Sequence, residues 1–205
     1  MPHRVVVLLA FLAIAPVGPV RAQPSTSVVL TPEQERGLED ARTMVREFHR
    51  IYKPLYSVDV APASWVGAKD LTQMAGVGVV SSLAAGKLWV SPSFLTSPHR
   101  DLILGITLAY HVLRRPSTAG TLADLEREQR QQRLDANAKA VEVLARTRGL
   151  SEQAAFTQLA GYLSGAHRAP PASRPPVVSA CEQLRDLQAR FPQYRDAVPV
   201  PDCSP

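Results

Sequence analysis

Besides His3, the chain carries four histidines, His49, His99, His111 and His167, and no two of them stand three or four positions apart. That spacing is what a metal chelate on one helix needs, because only i, i+3 and i+4 side chains share a face. His111 follows Tyr110, and neighbouring helical positions are turned by about 100°, so the two side chains leave on different faces. A hydrogen-bonded histidine near a helix end is the plainer reading of His111. Nucleophilic chemistry has as little to work with. No Gly-x-Ser-x-Gly elbow occurs, and the two cysteines, Cys181 and Cys203, lie near the C-terminus. Glu126 with Glu128, and Asp124 with Glu128, have acid–base side chains, but arginines stand among them in the pattern of a solvated helical face. Gly76-Val77-Gly78 lacks the third glycine or following lysine of a phosphate loop and reads as a strand with a close backbone approach.

The elements that must position any site follow from pattern. Thr31-Pro32-Glu33-Gln34 is a helix start with a capping box, and Leu38, Ala41, Val45, Phe48 and Tyr52 recur at helical spacing before Pro54 ends the run. From Leu55 to Val90 the period changes. Tyr56–Val60 alternates, Gly76–Val80 is small and β-branched, and Lys87–Val90 follows a glycine, giving two or three short strands. Ser97-Pro98 opens a helix that is apolar nearly all round and runs to Arg115, which predicts a central buried element. A long helix from about Leu122 to Arg148 closes at Gly149, and Ser151 caps a fourth with Phe156, Leu159, Tyr162 and Leu163 on one face. The proline-rich stretch 169–176 is a connector, and Ser179-Ala180-Cys181-Glu182 is a second capping box, opening a short helix that ends before Pro192. The class is α+β, mostly helical, with a small sheet and no internal repeats.

The first residues have the parts of an export signal. Arg4 precedes an apolar run from Val5 to Ala15, then Pro16, Gly18 and Pro19 break the helix before a Val20-Arg21-Ala22 cleavage pattern. A membrane span needs about 20 apolar residues, more than this run supplies, and no cysteine follows it to carry a lipid. The expectation is a signal peptide over 1–22 and a periplasmic or secreted product with no stable membrane anchor. The formal net charge of +5 falls to about +3 without Arg4 and Arg21. The cations are spread among acids rather than gathered in a stripe with aromatics, which argues against nucleic acid as a partner. In an oxidising compartment Cys181 and Cys203 are expected to pair, a closure of a little over twenty residues that stabilises by roughly 3 kcal/mol.

Between Gly86 and Leu163 the order of elements resembles the gluzincin zinc metallopeptidases, the HtpX- and BepA-like group. Gly86-Lys87-Leu88-Trp89-Val90-Ser91 resembles that family's edge strand. Ile106-Thr107-Leu108-Ala109-Tyr110-His111-Val112-Leu113 resembles the helix written HELAHHVL, and the run from Asp135 to Leu144 resembles the helix written EADANAxAVEIL. The resemblance implies a zincin-like domain, expected over 23–168; the linker, short helix and tail over 169–205 lie outside the comparison, and the closure of the tail by a disulfide is expected from the export signal. The resemblance also implies that the metal site is gone. Ile106, Thr107 and Tyr110 stand where two histidines and the catalytic glutamate would be, and Gln131 where the third ligand would be, with only the outer Asp135 kept. Ile has no lone pair, a phenol with pKa near 10 is a poor ligand, and threonine is no general base.

The resulting expectation is a pseudopeptidase without metal or cofactor that binds a protein or peptide. The family's substrate lies along its edge strand, so Lys87, Leu88, Trp89, Val90 and Ser91 become the expected peptide-binding strand, although core packing is the commoner role for a residue like Trp89. This reading requires Ile106, Tyr110 and Gln131 to converge on one point and fill it. An active hydrolase with an unconventional site around His111, Asp135 and Tyr110 requires three donor atoms in an open cleft. A structural envelope protein requires no cleft beside the strand.

Overall fold

The computed structural model describes residues 29–54, 56–60, 79–82, 86–113, 117–168 and 178–199. The expected signal segment 1–22, Gly76–Gly78, the expected connector 169–176 and Cys203 lie outside them. Helix α1 (Pro32–Tyr52) starts with the expected capping box: Thr31 Oγ1 accepts the Gln34 N–H at 3.2 Å, and Gln34 Oε1 accepts the Thr31 N–H at 3.0 Å. Its apolar stripe, Leu38, Ala41, Met44, Val45 and Phe48, is buried.

Three short strands follow, β1 (Ser57–Val60), β2 (Val79–Ser82) and β3 (Lys87–Val90), in the spatial order β1-β3-β2. β1 runs parallel to β3 with Ser57 opposite Lys87, and β2 runs antiparallel with Val79 opposite Val90. This order corrects one expectation. Lys87, Leu88, Trp89 and Val90 form the middle strand, so both of its hydrogen-bonding edges are already engaged and no extended peptide can add there. Ser91 has left the sheet altogether. Its Oγ accepts the Phe94 N–H at 3.2 Å and caps the single-turn helix α2 (Pro92–Leu95).

Helix α3 (Arg100–Leu113) is the buried central element the sequence predicts, with Leu102, Leu104, Gly105, Ile106, Leu108 and Ala109 inside. It packs against α4 (Leu122–Arg148), which Thr121 caps and Gly149 closes in the left-handed region at φ 63°. The two helices touch at Gly105, where a Cβ would stand 2.9 Å from Leu144 Cγ. α5 (Glu152–Arg168) and α6 (Ala180–Arg190) complete the helical layer, and a 3-10 turn spans Pro192–Ala197. Leu184 and Leu187 of α6 share one core with Phe48, Leu104, Leu144 and Phe156. The C-terminal helix is therefore part of the same core as the residues before 169. Cys181, Leu184 and Leu187 are buried at every third position and give α6 an apolar stripe, which Val178, just before its cap, extends. The architecture is α+β and mostly helical, and no helix among the described residues is long and apolar enough to cross a membrane.

Candidate functional site

A cavity of about 230 Å³ opens between α3 and β2. α3 supplies Ile103, Ile106, Thr107 and Tyr110, spaced so that they share one face. Val79 of β2, Arg133 of α4 and Tyr162 of α5 close the sides. Three of the four residues expected at a lost metal site thus come together, beside a strand, as a cleft. Ile106 is buried and forms apolar wall, while Thr107 Oγ1 donates to the Ile103 carbonyl at 2.8 Å.

Gln131 does not join them, so the expected convergence of Ile106, Tyr110 and Gln131 on one filled point is not met, and the space beside Ile106 and Tyr110 is open. Gln131 is exposed, and its Nε2 donates to Asp135 Oδ1 at 2.9 Å one turn along the same face. Arg133 faces the cavity instead, because two helical steps turn a side chain by about 200°. Its Nη1 lies 3.4 Å from Tyr110 Oη, and its guanidinium carbon is 5.8 Å from the Tyr110 ring centre. The register of α4 toward the cleft is thus two residues later than expected. The i+4 partner on the new face is Asn137, fully buried. Arg133 Nε and Asn137 Nδ2 both donate to Gln183 Oε1 on α6, at 3.0 and 2.9 Å, and Gln183 Nε2 donates to the Val178 carbonyl at 2.9 Å.

Asp135, expected to orient a ligand, serves a different purpose. It accepts from Arg190 at 2.8 Å and ties α4 to α6. Burial pulls the Arg190 guanidinium down, but hydrogen bonds to Asp135 and Asp186 outweigh it and hold the cation more firmly charged. His111 packs its ring 4.6 Å from that of Tyr56, whose own ring lies 5.7 Å from His49. Neither His111 nor Asp135 lines the cavity, so the set His111, Asp135 and Tyr110 is not assembled in it. His49 Nε2 accepts the Tyr56 N–H at 2.6 Å, and burial pushes this imidazole below its usual range.

A zinc ion does not fit the cavity's chemistry. Its described walls offer aliphatic groups, two phenols, a hydroxyl and a guanidinium, with neither imidazole nor carboxylate. Elsewhere among the described residues no three His, Cys, Asp or Glu side chains gather in a way that could hold a metal. Arg133 and Gln183 were not singled out from sequence. The signal that could have found them is Asn137, a polar residue lying three and seven positions before Ala140 and Leu144 on a buried stripe. Cys181 is buried on α6, and its expected partner Cys203 lies outside the described residues.

No protein-family model matches this sequence, and no curated protein or solved structure is similar to it. The resemblance to gluzincins rests on the residues of this chain alone.

Proposed function

We propose that this chain is a zincin-like protein without peptidase chemistry, exported to the periplasm or beyond, that binds a peptide in the cleft between α3 and β2. The observation that carries the reading is the Arg133 guanidinium beside the Tyr110 hydroxyl in a cavity lined by Ile106 and Thr107. The resemblance makes Ile106, Thr107 and Tyr110 positions of an active site, and a fixed cation beside them repels the second cation that a metallopeptidase needs. The cavity also has an apolar half, from Val79, Ile103 and Ile106, suited to a side chain of a bound segment. Pairing of Cys181 with Cys203 belongs to the same reading, because export would deliver the chain to an oxidising compartment.

The test is amide NMR of the purified chain titrated with unstructured apolar peptides. Shifts at Val79, Tyr110 and Arg133, with the peptide recovered intact, are the expected result. Cleaved peptide, or shifts confined to other surfaces, contradicts the reading.

A further inference from the structure

Three arginines are half-buried among the described residues, Arg100, Arg133 and Arg148. Arg100 pairs with Asp40 and Asp101, and Arg148 with Asp101 at 2.7 Å. Arg133 makes no ion pair among the described residues, and both of its hydrogen-bond partners, Gln183 Oε1 and Tyr110 Oη, are neutral oxygens. No carboxylate stands among the described walls of the cavity it faces. A partly desolvated cation is costly without an anion, and among the described residues none is placed to pair with this one.

We propose that this cavity is a carboxylate site that takes the C-terminal carboxylate of a peptide ending in an apolar residue. The proposal rests on the reading of the cleft as peptide-binding and names the end of the peptide it holds. Gln183 occupies Nε and fixes the plane of the guanidinium, and Tyr110 takes one N–H of Nη1, which leaves the second N–H of Nη1 and those of Nη2 for a planar two-oxygen anion. The Tyr110 hydroxyl accepts from Nη1 and so keeps its own proton as a neutral donor for a ligand. Thr107 Oγ1 spends its proton on the Ile103 carbonyl and stays an acceptor, as a ligand N–H requires. One cation in an otherwise neutral wall suits a monoanion rather than a phosphate, and Val79, Ile103 and Ile106 supply the apolar lodging for the last side chain.

Titration calorimetry of the purified full chain tests this with three probes: N-acetyl-Leu-Leu as the free acid, its C-terminal amide, and octanoate. The acid is expected to bind more tightly than the amide by about ten- to a hundredfold, the ratio a charge-assisted hydrogen bond sets. Arg133→Met is expected to erase that preference, and Tyr110→Phe to weaken the acid severalfold while sparing the amide. Tyr110→Phe removes a single hydroxyl and carries the test by itself if Arg133→Met does not fold. Octanoate binding in preference to the dipeptide acid, and depending on Arg133, overturns the peptide assignment in favour of a free fatty acid. Equal binding of acid and amide overturns the carboxylate anchor and leaves the peptide cleft standing. No binding of any probe at millimolar concentration overturns the proposal, and NMR mapping with longer peptides then decides the cleft separately.

Discussion

Arg133 Nε donates to Gln183 Oε1 at 3.0 Å, so the cation at the cavity is held by a neutral amide on the C-terminal helix α6. That same oxygen accepts from the fully buried Asn137. Gln183 is therefore a clamp between α4 and α6 beside the Asp135–Arg190 pair, although nothing in its own neighbourhood of sequence marks it.

Replacing Gln183 by leucine keeps the volume and removes the shared acceptor. Two donors, one of them charged, then lose their partner inside the protein. The expected loss is about 2–3 kcal/mol in urea unfolding, and a change below about 0.5 kcal/mol would show that the clamp contributes nothing.

Gly37 sits where α1 meets the end of α2. A Cβ there would stand 2.2 Å from the Leu95 carbonyl oxygen, and Arg100 Nη1 already bridges the Gly37 and Leu95 carbonyls at 3.3 Å each. In an open helix Gly→Ala gains about 1 kcal/mol. Here Gly37→Ala is expected to destabilise by about 2 kcal/mol, since backbone rather than a side-chain tip must move. Thermal unfolding reads the sign directly.

His49 gives a pH dependence with a definite direction. Burial lowers its pKa in the fold, and Nε2 must stay unprotonated to accept the Tyr56 N–H. The folded state then binds fewer protons than the unfolded state below the ordinary histidine value near 6.5. This contribution is complete above that pH and is lost as pH falls through the lowered folded value. Urea midpoints between pH 7 and pH 5 are expected to drop, with a shallower drop in His49→Gln, whose amide oxygen accepts without titrating. An identical pH slope in both proteins would exclude His49 as the source.

The pairing of Cys181 with Cys203 predicts an intact mass two hydrogens lighter than the reduced chain and no reaction with a thiol reagent in denaturant. Two titratable thiols would count against both the bridge and an oxidising destination.

Much of the fold was legible because helix ends are written locally. Thr31 with Gln34, Gly149 and Ser179 mark termini that the structure places where the spacing predicts. That Ile106, Thr107 and Tyr110 share a face was legible for a similar reason, since three residues on one helix face need only the helical period, but the open space beside them was not, because the sequence reading expected it filled. Which strand lies outermost was not, because strand order is a matter of pairing between distant segments, and β3 proved to be the middle one. The register of α4 failed likewise. Gln131 and Arg133 differ by two positions in sequence and by most of a half-turn in direction, and only contact with Tyr110 and Gln183 selects between them. The place of α6 in the core was concealed by the proline-rich connector before it, which reads as a boundary while Leu184 and Leu187 read as core.

The most direct test of the central claim is the zinc content of the purified chain, measured by elemental analysis after exhaustive dialysis against metal-free buffer. A cleft built around Arg133 predicts no stoichiometric zinc and a thermal midpoint unchanged by chelator. About one zinc per chain, lost when His111 is replaced by alanine, would contradict it and favour a metal-dependent activity.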